Sequence, residues 1–101
     1  MALTIDPKGL ETRVMHDLID FRGKDVLEVG CGDGRVTWRY AAEAATVTAI
    51  DPDAAAIEAA QNALPQELRS TVSFHVADVA DVRAIDLPGS GYDVAVFSGS
   101  L

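Results

Sequence analysis

The sequence has little of several features that mark particular classes of protein. It contains one cysteine in 101 residues, so no disulfide can form within the chain and no pair of thiolates can hold a metal. Basic residues are scarce and scattered, with 8 Lys and Arg against 16 Asp and Glu and a net charge of -8. This charge balance argues against nucleic acid and against an anionic membrane as partners.

Long apolar runs are also absent. No stretch approaches the length that spans a bilayer, and the opening MALTIDPKGL lacks the pattern of a secretory signal, so we expect a cytoplasmic protein. With 49% hydrophobic residues, the chain has apolar material for one compact core. No repeat or linker divides it, and we expect a single domain over residues 1–101.

What the sequence does contain is an alternation of strand and helix patterns. Strands are predicted at 25–29, 46–51, 71–76 and 92–98, and helices at about 10–22, 35–45 and 52–64. Asp53 is the expected cap of the last helix, which ends before Pro65. Strands separated by helices predict an α/β fold with a mostly parallel sheet of about four strands and flanking helices.

The stretch VLEVGCGDGR, residues 26–35, runs from the first predicted strand into a glycine-rich loop at its carboxyl end, where α/β sheets bind ligands. Its alternating glycines are Gly30, Gly32 and Gly34. A dinucleotide loop has the spacing GxGxxG, but here Arg35 stands where the third glycine would be. Glu28 and Asp33 would also bring negative charge toward a pyrophosphate. A cationic or neutral ligand is therefore favoured.

Four stretches together resemble the class I S-adenosylmethionine-dependent methyltransferases, which have a Rossmann-like fold. They are VLEVGCGDGR, AIDPD, HVADV and YDVAVFSGSL, and they occur in the family's order from about Gly23 onward. The resemblance implies S-adenosylmethionine as the cofactor. It also implies that the chain is the amino-terminal portion of a seven-stranded fold, truncated after the fourth strand.

At the methionine end of the cofactor, the resemblance implies contacts from the loop glycines Gly30, Gly32 and Gly34. Glu28 would help to orient this end, and the backbone near Phe97 and Ser98 would accept a hydrogen bond from the ammonium group.

At the adenosine end, the resemblance assigns Asp51 to both ribose hydroxyls, since a carboxylate has two acceptor oxygens. The side chain of Pro52 or Asp53 would line the adenine pocket, Asp78 would accept from the adenine amino group, and the backbone of Val79 would meet the ring edge. Asp51 could instead start a turn before Pro52, and Asp78 could be a local cap.

Other conspicuous residues are better explained by structure. We expect Cys31 to be a small apolar side chain facing the core, Asp33 to cap the following helix, and Trp38 and Tyr40 to serve in packing.

The sequence discloses no catalytic base. His75 alternates with apolar residues in a strand and His16 lies on an ordinary amphipathic helix, so neither is assigned to catalysis, and no metal cluster is visible. The fourth strand ends in FSGSL. Members of the family that methylate nucleic-acid bases or glutamine commonly have an Asn or Asp, two prolines and an aromatic residue here. Together with the acidic charge, this difference favours a small-molecule acceptor.

Two functions stay open at this point. The chain could be the cofactor-binding half of a methyltransferase, completed by a carboxyl-terminal half or by a second copy. Alternatively, it could be a non-catalytic cofactor-binding or assembly module that pairs through its fourth strand. The second hypothesis assumes that this strand forms an exposed edge, with Val94, Val96 and Phe97 partly uncovered.

Overall fold

The fold is organised by one parallel sheet. The computed structural model describes residues 2–5, 20–78 and 91–98. Its strands are β1 (Ala2–Ile5), β2 (Asp25–Val29), β3 (Thr46–Asp51), β4 (Val72–Val76) and β5 (Val94–Ser98), and the helix α1 (Ala54–Ala63) lies between β3 and β4. The order across the sheet is β1-β5-β2-β3-β4, with each neighbouring pair parallel. The predicted parallel α/β architecture is confirmed.

The order of the strands reverses at β2. This strand pairs with β3 on one side and with β5 on the other, so that Val29 lies opposite Phe97 in register. The chain leaving β2 therefore passes directly beside the carboxyl end of β5. A crevice forms at such a reversal because the connections on its two sides run in opposite directions, and α/β sheets bind their ligands there.

The two faces of the sheet carry separate apolar clusters. The larger cluster lies on the face that contacts α1 and contains Val26, Val47, Ala49, Val72, Phe74, Val94 and Val96 from the strands, with Phe21, Cys31, Val36, Tyr40, Ala41, Ile57, Ala60 and Leu68. The smaller cluster on the other face contains Val29, Ile50 and Ala77, with Leu27 and Phe97 packed against it. The strand alternation read from the sequence thus separates two layers of packing.

Helix α1 forms as its sequence predicts. Alanine has the highest helix propensity, and the buried positions Ile57 and Ala60 are three residues apart on one face. The Asp53 side chain accepts hydrogen bonds from the backbone N–H groups of Ala55 and Ala56, at 3.0 and 3.3 Å. The helix ends before Pro65, which cannot continue it.

The predicted helix over 35–45 is wrong. Turns run through this segment, with a 3₁₀ helix at Thr37–Arg39. Val36, Thr37, Trp38 and Tyr40 are β-branched or aromatic and lose rotamer freedom in an α-helix. Their side chains are held by the sheet and the loop, so tertiary contacts outweigh the alanines at the end of the segment.

The expectation of an exposed fourth strand is also wrong. This strand, β5, lies between β2 and β1. Its residues Val94 and Val96 are 5% and 0% exposed, and Phe97 is half-buried. The sequence order of the strands does not reveal that β1 pairs beside β5, and β1 was not predicted. The first predicted helix falls almost wholly outside the described residues, as does most of the loop before β5.

Replacing Asp53 by alanine should lower the free energy of unfolding by about 0.5–2 kcal/mol, because two N–H groups at the start of α1 lose their acceptor. Urea denaturation measures the change. Asp53→Asn is the matched control, since asparagine caps helices equally well. Equal stability of the alanine and asparagine variants would contradict the assigned cap.

Candidate functional site

The glycine loop makes a close backbone contact with β5. Gly30 has φ 81°, in the left-handed region, and a Cβ at this position would lie 2.2 Å from the carbonyl oxygen of Ser98. Gly34 has φ 93°, and its Cβ would lie 2.6 Å from the ring of Trp38. These two positions require glycine both for conformation and for space. At Gly32, by contrast, a Cβ would meet nothing within 4 Å, so this part of the loop faces open space.

Hydrogen bonds fasten the loop to the carboxyl end of β3. The N–H groups of Gly30 and Cys31 donate to the carbonyl oxygen of Ile50, at 2.9 and 3.1 Å. The N–H of Gly32 donates to Asp51 Oδ2 at 2.9 Å, and Asp51 Oδ1 accepts from the N–H of Asp53 at 2.8 Å. Asp51 is half-buried, and each of its oxygens retains a lone pair for a further donor.

A cavity of about 150 Å³ lies between this loop, the following turn and the end of β5. The residues that line it are Gly30, Cys31, Gly32, Asp33, Arg35, Val36, Arg39 and Ser98. Ligand pockets usually measure about 300–1,000 Å³. The described residues therefore enclose only part of a nucleoside-sized ligand.

A larger cavity of about 360 Å³ lies elsewhere, at the amino ends of β2, β3 and β4. It is lined by residues that include Asp25, Thr46 and Arg69 and does not contact the glycine loop. Since ligands of parallel α/β sheets bind at the carboxyl ends of the strands, we assign the functional site to the smaller cavity.

Beneath the loop lies a buried carboxyl group. Glu28 is 0% exposed, and its Oε1 accepts hydrogen bonds from Thr37 Oγ1 at 2.7 Å and from Tyr40 OH at 2.6 Å. Its Oε2 accepts from Ser98 Oγ at 2.5 Å. Burial raises the pKa of Glu28, and the three hydroxyls act in the opposite direction. The carboxyl group lies under the cavity without lining it.

Sequence reasoning did not assign these hydroxyl groups. Tyr40 stacks on Phe21 with ring centroids 4.6 Å apart, so the expected packing role is real, but its hydroxyl also binds Glu28. Thr37 and Tyr40 are three residues apart, a spacing that places two hydroxyls on one side of a helical turn. That spacing was the available signal. Ser98 lies on a strand that is distant in sequence, and no local pattern indicates its contact with Glu28.

The residues predicted for the adenosine end lie around the same edge of the sheet. Pro52 and Asp78 are exposed beyond the ends of β3 and β4. Val79 lies outside the described residues. At the methionine end, the Phe97 side chain packs against the smaller apolar cluster, and its backbone lies opposite Val29, the last residue of β2 before the loop.

The remaining predictions concern residues with structural roles. Cys31 belongs to the larger core cluster, and burial raises the pKa of its thiol. Asp33 accepts from the backbone N–H and the Nε of Arg35, at 3.3 and 3.1 Å, so it caps a turn rather than an α-helix.

Trp38, which was expected to serve in packing, packs edge-on against Phe74. His75 Nε2 lies 3.2 Å from Ser73 Oγ. His16 falls outside the described residues.

Two further features are absent from the described segments. Residues 20–78 and 91–98 contain no group of His, Cys, Asp or Glu side chains arranged to hold a metal ion. Within those same segments, no helix has the length and apolar character needed to cross a bilayer.

Comparison with known proteins connects this geometry to a family. The methyltransferase domain family matches residues 26–101. The magnesium-protoporphyrin O-methyltransferase of Rhodobacter capsulatus is 45% identical over 62 residues, which are 61% of this chain and 28% of that protein. An uncharacterised methyltransferase of Mycobacterium bovis is 35% identical over 80 residues, 75% of this chain and 36% of that protein.

Among solved structures, the magnesium protoporphyrin IX methyltransferase of Synechocystis with bound S-adenosylmethionine superimposes with a TM-score of 0.66 at 22% identity. That match covers 85% of this chain and 39% of the other. It shows a shared fold. A parallel sheet with a glycine loop and an acid at successive strand ends defines a Rossmann-like class of protein, and within that class the chain belongs to the methyltransferase domain family. It spans about a third of the length of the curated relatives that it matches.

Replacing Gly30 by alanine should lower the free energy of unfolding more than replacing Gly23 by alanine. Both glycines have positive φ, 81° and 71°, so both variants incur backbone strain of about 1–2 kcal/mol. Only at Gly30 does the new Cβ collide with the Ser98 carbonyl, since nothing lies within 4 Å at Gly23. Urea denaturation of the two variants isolates the collision. Equal losses of unfolding free energy in the two variants would show that Gly30 does not lie in close contact with β5.

The stability of the fold should depend on pH through Glu28. The pKa of this carboxyl is raised above its ordinary value of 4.5, so the folded chain keeps the proton after the unfolded chain has lost it. The stabilising contribution is therefore complete below the ordinary pKa and is lost as pH rises through the raised one. We expect the stability of the wild type relative to Glu28→Gln to fall with rising pH in urea denaturation. A difference that grows with pH would mean that folding favours the carboxylate.

Proposed function

We propose that this chain is the cofactor-binding half of an S-adenosylmethionine-dependent methyltransferase that acts on a small-molecule acceptor. The observation that carries the proposal is the cavity at the reversal of strand order, bounded by the glycine loop and adjoined by the half-buried Asp51. The match of residues 26–101 to the methyltransferase domain family supports it. The relatives with bound S-adenosylmethionine and S-adenosylhomocysteine support this choice of cofactor.

The residues present suit the methionine end of such a cofactor. Gly30 and Gly32 line the cavity, and the open space above Gly32 lets a ligand approach the backbone closely. We assign Gly34 to the shape of the loop, and the backbone at Phe97 to the ammonium group. Glu28 supplies negative potential from beneath the loop when ionised, which suits a cation better than a phosphate.

The adenosine end is assigned to the edge formed by β3 and β4. Asp51 has a free lone pair on each oxygen and is half-exposed, so it can accept from two vicinal hydroxyls while it holds Gly32 and Asp53. Pro52 would line the adenine pocket, with Asp78 and the backbone of Val79 at the ring edge. These roles are proposals, carried over from the sequence motifs.

Methyl transfer requires little of the protein beyond the correct positioning of the methyl group and the nucleophile. The cofactor, when bound, supplies a methyl group that is already activated by its sulfonium. This chain's residues bind and orient that group near the carboxyl ends of β2 and β5, and a nucleophile must be held in line with it in a site that excludes water. No general base is assigned among the described residues. The rest of the acceptor pocket is proposed to come from polypeptide that this chain lacks.

A small molecule is the proposed acceptor. The net charge of -8 disfavours nucleic acid, and the Rhodobacter relative is named for a porphyrin substrate. Its identity with this chain lies in the cofactor half, so it supports the class of acceptor and not the porphyrin itself. The alternative, a non-catalytic module that pairs through its fourth strand, is not favoured because β5 already pairs on both sides.

Calorimetric titration with S-adenosylmethionine tests the proposal. We expect the wild type to bind with a dissociation constant in the micromolar range, at about 8 kcal/mol. Asp51→Ala should weaken binding by about 1.5–3 kcal/mol because charged hydrogen bonds are lost.

Asp20→Ala is the control for this titration. It removes the same charge from an exposed position that pairs with Arg22, away from the loop, and should bind as the wild type does. No binding by a folded wild type would refute the cofactor assignment. Unchanged affinity of Asp51→Ala would refute the ribose assignment alone.

A further inference from the structure

Glu28 is held by three hydroxyl groups from two separate parts of the chain. Thr37 and Tyr40 belong to the turn that follows the glycine loop, and Ser98 ends β5. We propose that these three side chains are positioning residues, which fix Glu28 and through it the shape of the glycine loop that receives the cofactor. The inference rests on the proposed function and adds Thr37, Tyr40 and Ser98 to the site.

The geometry of the cluster leaves its members little freedom. Glu28, Thr37, Tyr40 and Ser98 are each at most 1% exposed, so water cannot replace a missing partner without a rearrangement. The Tyr40 ring is fixed by stacking on Phe21, with an interplanar angle of 21°. A buried donor or acceptor without a partner is costly, so the four groups constrain one another.

The cluster reaches the cavity through Ser98. Its hydroxyl donates to Glu28 and also lies 3.3 Å from the carbonyl oxygen of Gly30, while its own carbonyl lies against the Gly30 backbone. Gly30 and Ser98 both line the cavity. A change in how Ser98 meets Glu28 is therefore passed directly to the wall of the ligand site, although Glu28 itself does not form that wall.

The protonation state of Glu28 selects the hydrogen-bond pattern. A carboxylate only accepts hydrogen bonds, so in that form all three hydroxyls donate to it. When Glu28 is neutral, its own O–H needs an acceptor. Ser98 Oγ is suited to accept this hydrogen bond because the Ser98 hydroxyl can then donate to the Gly30 carbonyl. A cation in the cavity favours the carboxylate form, and so favours the arrangement in which Ser98 holds Glu28.

The groups that face Glu28 define this titration. Among the ionisable side chains that interact with it are the Tyr40 phenol and the Cys31 thiol, and the pKa of each is raised by burial and by the Glu28 charge. Its register neighbours are Ala49 on β3 and Val96 on β5, which carry no charge. Because each hydroxyl donor lowers the pKa of Glu28, loss of one of them raises it.

Tyr40→Phe is the decisive variant, because it removes one hydroxyl and keeps the stacked ring. We expect its affinity for S-adenosylmethionine to be about five- to tenfold weaker than that of the wild type, measured by calorimetry well below the unfolding temperature. Affinity should rise as pH increases and Glu28 ionises, which gives an acid limb in a plot of affinity against pH. In Tyr40→Phe this acid limb should move to higher pH, since Glu28 ionises less readily. A merely structural role would lower the unfolding temperature and leave both quantities unchanged.

Tyr92→Phe is the matched control, since it makes the same chemical change just before the amino end of β5, at the far end of the strand from Ser98. It should bind as the wild type does at each pH. If Tyr40→Phe does not fold, Ser98→Ala is tested by the same two measurements.

The outcomes separate this inference from the function on which it rests. Suppose that the wild type binds and that the variant without the hydroxyl, Tyr40→Phe or Ser98→Ala, has the same affinity and the same pH profile. That result overturns the positioning role and leaves the cofactor assignment intact. No binding by the folded wild type overturns both. Weakened binding with a shifted acid limb, and no effect in Tyr92→Phe, supports the positioning role.

Discussion

The carboxyl group of Glu28 is the constraint on which the site depends. Removing a carboxyl from water is unfavourable unless its oxygens find donors, and this one is completely buried in the middle of the sheet. Its donors come from the turn after the loop and from the end of β5, segments about sixty residues apart along the chain. Satisfying the hydrogen bonds of this one side chain therefore requires both segments to close around Glu28, beneath the glycine loop, in a single arrangement.

The parallel sheet makes this closure possible. Because β2 and β5 run side by side in register, the residues that leave β2 meet the residues that end β5, and Gly30 can lie against Ser98. Asp51, at the end of β3, fastens the other side of the loop through Gly32. A loop held from both neighbouring strands is preorganised, so little of the free energy of ligand binding is spent on ordering it.

The motifs at the carboxyl ends of the strands were readable from the sequence, whereas the side chains that support them were not. Glycine spacing, the acid at each strand end and the Asp53 cap each have a local physical cause, and the structure places them at one edge of the sheet. The helix expected over 35–45 is replaced by turns, because aromatic and β-branched side chains there are fixed by contacts with the sheet. Tyr40 was predicted to be a packing residue, because no pattern in the neighbouring sequence indicates that its hydroxyl binds a carboxyl group beneath the loop.

By itself, the sequence determined the class of fold, the position of the glycine loop and the capped helix, because hydrophobic period, glycine spacing and cap chemistry act over a few residues. Only the tertiary structure decided that β5 is interior, that β1 pairs beside it and that Ser98 meets Glu28. These contacts join distant segments, and their free energies depend on burial and register, which no local pattern encodes.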